Sequence, residues 1–295
     1  MTVRVLLMMM LATWLGGRAP STLLADEEET YRLQHKLQEG ERLRYRVVHM
    51  AKTNVRINQK EELTSVHTTS VKAWDVKGVS ADGSISFDHG IESVCMTQQT
   101  GDEAEVRWDS RGKEIPPARF GSVAEKLGQV LGTVTISPAG KVLERSDKGS
   151  EALKLGMGEI VVPLPSEPVK IGGQWSVPRE IRIQSEAAGP KLVKIRELYT
   201  LEKVQTGVAT ISVRSEPLTP VEESSEQAQL LQQLSNGTIR FDLDRGRLLS
   251  RQLDWDSNLV GFKGAKSNME YRARLTEELE ATNPSTAALK ARELR

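Results

Sequence analysis

The sequence predicts a mainly β protein: long, curved antiparallel strands in two related halves, half-barrel or barrel-like, with one or two short helices. Three observations lead there. From Leu43 to Ile57, one alternate set reads Leu43, Tyr45, Val47, His49, Ala51, Thr53, Val55, Ile57, against Arg44, Arg46, Val48, Met50, Lys52, Asn54, Arg56. This is the period-two pattern of a half-buried strand. Met269, Tyr271, Ala273 and Leu275 repeat it, as do Val193, Ile195, Tyr199 and Leu201, with Glu197 breaking that face. One-sided strands belong to antiparallel sheets with one wet face; the strands of a parallel α/β core are apolar on both. At ~3.3 Å per residue the first strand spans roughly 50 Å, and a strand that long must twist and curl. The third observation is a set of landmarks that recurs along the chain, described below.

Composition narrows the function classes. In 295 residues, 40 Lys and Arg balance 40 Asp and Glu, which excludes a polybasic nucleic-acid binder and an acidic tail. With 38% hydrophobic residues the chain is not disordered throughout, and one cysteine excludes a disulfide framework or a multi-cysteine metal site.

Arg4 precedes an apolar run from Val5 to Leu15. It is too short for a membrane span, which takes ~20 residues, and the right size for the core of an export signal. Cleavage is expected after Ala25, which makes 1–25 a signal peptide and the product a periplasmic or secreted protein. No later segment has membrane-spanning length, and no cysteine near the signal offers a lipid anchor. Residues 26–160 then form a first β-rich half and 161–280 a second, with 281–295 a flexible or helical tail.

Two segments have helical spacing. Thr219-Pro220-Val221-Glu222 combines an N-cap, a first-turn proline and a capping-box glutamate, with Val221, Ala228, Leu230, Leu231 and Leu234 following and Asn236-Gly237 as the stop. Ser122 to Leu131 puts Val123, Leu127, Val130 and Leu131 on one side, although Gly128 weakens it. Ser137-Pro138-Ala139-Gly140 reads as a hairpin turn between Val134–Ile136 and Lys141–Leu143. Val161 to Pro168, with three prolines, reads as a stiff extended connector.

The recurring landmarks suggest a duplication. Gly40-Glu41-Arg42-Leu43 corresponds to Gly173-Gln174-Trp175-Ser176, and Gly83 to Phe87 to Gly207 to Ile211. Val106-Arg107-Trp108-Asp109 corresponds to Ile239-Arg240-Phe241-Asp242. Turns follow at Arg111-Gly112-Lys113 and Arg245-Gly246-Arg247, each expected to close a hairpin. Gly40 to Val106 and Gly173 to Ile239 are both 66 residues, but the middle landmark is out of phase. Together with Tyr31-Arg32-Leu33, Gly40-Glu41…Tyr45 and Pro168 to Trp175, this layout resembles a group of exported bacterial β-rich proteins with an internal repeat. That group implies no activity and no functional residues. A weaker likeness is to periplasmic lipoprotein carriers, open curved barrels filled by helices.

Tests for chemistry assign no catalytic, cofactor-binding or metal residue. His35, His49, His67 and His89 lack metal-ligand spacing. His49 falls in an apolar phase, and His89, between Asp88 and Gly90, suits a turn. Cys95 reads as a buried free thiol. Gly156-Met157-Gly158 is not a phosphate loop. Asp242-Leu243-Asp244-Arg245-Gly246 lacks the ligands of a calcium loop and reads as a hairpin turn. Asp254 and Asp256 flank Trp255 in ordinary strand alternation. Trp74, Trp108, Trp175 and Trp255 read as core, and Arg42, Arg44 and Arg46 as a solvated face. Two functions follow. One is a non-catalytic binding or interaction protein of the cell envelope, with an unknown protein or an apolar small molecule as partner, and without cofactor or nucleic acid. The alternative is a hydrolase with dispersed Asp, Glu and His residues.

Overall fold

The structure is a computed structural model, described here for residues 29–147, 160–185 and 189–281. The export segment 1–25, Gly156-Met157-Gly158 and the tail beyond 281 lie outside the described residues.

The chain runs through β1 (Thr30–Tyr31), β2 (Arg42–Ile57), β3 (Lys60–Val79), β4 (Ile85–Thr100) and β5 (Val106–Asp109). A 3-10 turn (Ala118–Phe120) and α1 (Gly121–Ala124) lead to β6 (Val130–Ile136), β7 (Val142–Asp147) and β8 (Val169–Lys170). Then come β9 (Gln174–Ser185), β10 (Gly189–Gln205), β11 (Val208–Pro217), α2 (Ser224–Leu230), β12 (Asn236–Asp242), β13 (Arg247–Val260) and β14 (Ser267–Leu279). Apart from the short β1–β8 pair, all strands join one antiparallel sheet in the order β7-β6-β4-β3-β2-β14-β13-β12-β11-β10-β9, with β5 beside β4. Two meanders, β2 to β7 and β9 to β14, are therefore stitched together by β2 and β14. The sheet stays open, because β7 and β9 do not pair with each other.

Its curvature follows from two hydrogen bonds. The N–H of His35 donates to Pro138 in the β6–β7 turn (2.8 Å), and the N–H of Lys36 donates to Gly246 in the β12–β13 turn (2.9 Å). Six strand spacings separate those turns along the sheet, roughly 29 Å if flat. Consecutive residues cannot reach acceptors more than about 10 Å apart. The sheet must therefore curl, apolar face inward, until both turns meet the segment 31–41, which crosses the end of the curl as a strap. We call this end upper; the lower end carries the turns at 58–59 and 261–266. Gly140 and Gly246 let the strap pass. Both have positive φ, and a Cβ would lie 2.5 Å from the Val162 oxygen at Gly140 and 2.4 Å from the Lys36 nitrogen at Gly246.

Beneath the strap lies the main core: Leu33, Leu37, Leu43, Tyr45, Trp74 and Phe87 from one side, Tyr199, Leu201, Ile211, Ile239 and Phe241 from the other, with Val161, Val162 and Leu164 of the connector between them. Outward residues are charged. Arg42 pairs with Asp75 (2.7 Å) and Glu92 (2.8 Å), Arg44 with Glu92 (2.9 Å) and Glu280 (3.1 Å), and Arg274 with Asp254 (2.6 Å), as expected of a solvated face. These exposed pairs contribute little to stability.

Several expectations are corrected. The second helix begins at Ser224, after Glu223. The Thr219 hydroxyl instead accepts the Lys194 N–H (3.0 Å), so sheet pairing outcompetes the capping box. Asn236-Gly237 opens β12, where Gly237 lies against the Gln252 carbonyl. The helix expected over Ser122–Leu131 stops at Ala124, and past Gly128 (φ +71°) the chain joins β6. His89 is not in a turn; it is buried mid-strand on the inner face of β4, opposite Trp74. Cys95 is only half-buried and points outward, paired with Thr69 and Asp109. Arg111-Gly112-Lys113 closes no hairpin, since β5 pairs with β4 alone.

Candidate functional site

The inner face divides into a sealed upper half and an open lower half, with a charged cluster between them. In the upper half His35 is buried. Its Nε2 bonds the Val162 carbonyl (2.9 Å), and its ring meets Phe241 edge-on at 5.3 Å. Burial pulls its pKa down to about 4, only partly offset by Val162. The gap among His35, Tyr45, Trp74, Ile160, Arg247 and Arg251 does not admit a water molecule. A second gap, ≈ 10 Å³ beside Lys72, His89 and Gly90, is about the size of one. The upper trough is thus filled by the protein itself, by the strap and connector. Helix α2 packs on Ile183, Val193 and Ile195 and also contacts β13.

The cluster crosses adjacent strands. Glu277 on β14 contacts Lys72 on β3 through one carboxylate oxygen and Arg251 on β13 through the other. All three are buried. The Lys72 ammonium lies 5.5 Å from the centroid of Tyr45 and 5.7 Å from that of Trp74, a distance for cation–π attraction. Burial pushes the Glu277 carboxyl up, but the two cations more than compensate and hold it below the usual range; burial pulls Lys72 down, with Glu277 opposing. A carboxylate held ionised between two cations is not poised as a general acid. Glu197, the residue that breaks its strand's apolar face, is tied to Arg179 and accepts the Tyr199 hydroxyl (2.6 Å). Buried Glu226 on α2 accepts from Lys191 (2.8 Å). Among the described residues no group of His, Cys, Asp and Glu is arranged to hold a metal.

Below the cluster the inner face is covered less completely: Tyr271 and Ala273 are buried and α2 contacts β13, but their neighbours are not sealed. Register sets Ala51 opposite Ala273 and Val66, Val55 opposite Met269, and Leu259 on the far side of Met269. Ala51, Val55, Ile57, Val66, Trp255, Leu259 and Met269 are all half-buried and belong to none of the packed clusters. His49 and Trp255 face each other across the floor, ring centroids 6.5 Å apart, and the buried Trp255 indole N–H has no partner among the described residues. The walls are α1 with Trp108 and Phe120 over β4 and β5, and α2, which packs on β9 and β10 and reaches β13. Trp74 and Trp108 are core as expected, Trp175 stacks on Tyr199, and Trp255 is part of this floor. Alternation had placed His49 and Trp255 on apolar phases. The cluster was not anticipated, although charged residues in an apolar phase (Lys72 with Trp74, Glu277 with Leu275) were its signal.

A family model described as a family of unknown function (DUF6263) matches residues 145–247, a span that includes β8 to β12. No curated protein matches the chain. Among solved structures, one described as lipid–protein interactions in lipovitellin is similar, with a TM-score of 0.45 and 11% identity over 83% of this chain and 26% of that one. The present chain therefore spans about a quarter of that structure's length. Among the described residues no helix is long and apolar enough to cross a membrane.

Proposed function

We propose that this is an exported, non-catalytic binding protein of the cell envelope, and that the open lower trough holds an apolar chain of lipid type. The observation that carries the reading is the contrast along one face: above the charged cluster the apolar side chains are sealed, whereas below it Ala51, Val55, Ile57, Val66, Trp255, Leu259 and Met269 stay half-exposed. Half-buried apolar side chains set among a few polar ones, here Thr53, Thr64 and Glu62 on the same face, are the make-up of binding grooves. From His49 to Ile57 the floor runs roughly 26 Å at ~3.3 Å per residue. That is ample for one acyl chain, which spans about half of a ~30 Å bilayer core. The half-buried His49 ring offers a polar anchor on the floor. Export rests on the apolar run Val5–Leu15 and cleavage after Ala25. The two meanders run through the sheet in the same direction, as a duplication of 26–160 in 161–280 would arrange them.

The test is native mass spectrometry and lipid extraction of the purified protein, followed by titration with a fluorescent fatty-acid probe. Ala51→Trp, which fills the floor, is expected to lower probe affinity at least tenfold, while Met50→Trp on the outer face leaves it unchanged. Protein that emerges empty and ignores the probe, or equal loss in both variants, overturns the reading.

A further inference from the structure

The lower end of the trough is formed by two hairpin turns that touch: the Asn58 N–H donates to the Lys266 carbonyl (2.9 Å). Residues 58–60 and 261–266 read Asn-Gln-Lys and Gly-Phe-Lys-Gly-Ala-Lys. These tips carry Lys60, Lys263 and Lys266, all exposed, and no acid. None of the three lysines has an ion pair among the described residues. One rung inward, Arg56 stands opposite Glu61, and Glu62 lies on the inner face opposite Val55; four cations thus meet two carboxylates. Beside the lysines Val260 is 66% exposed, an apolar side chain set among cations. The other lower loop is acidic, with Asp102, Glu103 and Glu105, but it leaves the sheet at Thr100 opposite Thr64. Its Gly101 N–H donates to the Leu63 carbonyl (2.8 Å), and Glu103 is paired with Arg119 (3.8 Å).

We infer that these two tips dock on an anionic phospholipid surface, with the open trough facing the bilayer. Lysines gain attraction from anionic headgroups within a screening length, and a projecting apolar residue enters the interface. The upper end is closed by the strap, so the end that touches the membrane is the end through which a chain can slide in. Only this direction of loading rests on the trough reading; the docking surface stands on its own charges.

The experiment is flotation of the purified protein with vesicles of phosphatidylcholine alone and of phosphatidylcholine mixed with phosphatidylglycerol. Wild type is expected to float with the anionic vesicles, to be released by about 0.5 M salt, and to stay off the neutral ones. The triple variant Lys60→Glu, Lys263→Glu, Lys266→Glu, with folding checked by circular dichroism, is expected to partition about a hundredfold more weakly, at roughly fivefold per lysine. Absence of wild-type flotation, equal binding to neutral vesicles, or unchanged binding by the variant would overturn the proposal. Ala51→Trp separates the two readings. It is expected to float like wild type while losing the fatty-acid probe, so flotation without probe binding in wild type would refute the trough alone.

Discussion

Acidification should loosen the strap through His35. The perturbation is a shift from pH 7 to pH 5. The imidazole is buried, its Nε2 is bonded to Val162, and burial holds its pKa at about 4 against an ordinary value near 6.5. Between those values the unfolded chain binds the proton and the folded chain does not. The stability from a neutral His35 is therefore complete above about pH 6.5 and is lost as pH falls toward 4. At about 1.4 kcal/mol per unit the full effect is ~3 kcal/mol, of which ~2 kcal/mol is already lost at pH 5. The assay is urea unfolding, followed by tryptophan fluorescence, of wild type and His35→Gln at both pH values. The variant is expected to be less stable at pH 7, by ~1 kcal/mol for an imperfect hydrogen bond. Its loss between pH 7 and pH 5 should be ~2 kcal/mol smaller than that of wild type. Half-buried His49, also pulled down by burial, pushes in the same direction in both proteins and cancels in the difference. Equal acid losses in the two proteins would refute the argument.

Two further predictions concern the core. Glu277→Gln leaves Lys72 and Arg251 buried without their carboxylate and should cost 3–5 kcal/mol, roughly the cost of breaking a buried ion pair; Arg42→Gln on the outer face should cost under ~1 kcal/mol, and chemical denaturation compares them. Gly246→Ala places a methyl against the strap at a positive φ and should destabilise by well over ~1 kcal/mol. Gly264→Ala, also at positive φ but in open space, should cost only about that conformational penalty; similar melting-temperature losses in both would count against strap packing as the cause.

β2, β10 and β14 were legible because each carries a period-two alternation, interrupted in β10 by Glu197: β2 was expected from Leu43 to Ile57 and observed from Arg42 to Ile57. The β6–β7 turn at Ser137–Gly140 was equally plain. The short helices were not, because local spacing competes with pairing the sequence does not display. Thr219 has the chemistry of a cap, yet a backbone N–H of β10 is its partner. Val130 and Leu131 have helical spacing, yet β4 takes them. The strap was invisible for a related reason: residues 32–41 have no regular period, and the hydrogen bonds of His35 and Lys36 go to turns more than a hundred residues away. The open floor could be read only as a phase, since alternation tells which residues turn inward and not which of them are covered.

An open sheet with two bare margins is a template for endless stacking, and this one is blunted on one side. The Gln184 N–H points out from β9 and donates to the Gln229 side chain (2.8 Å), whose amide donates back to the Gln184 carbonyl (2.7 Å). Pro178, in the same phase six residues earlier, brings no donor to that margin. A head-to-tail array would need β9 of one copy against β7 of the next, and that join is spoiled. Among the described residues what remains is β7 against β7, a self-complementary contact that ends with two molecules. At high concentration the protein should therefore sediment as one and two copies, never as a ladder of growing fibres.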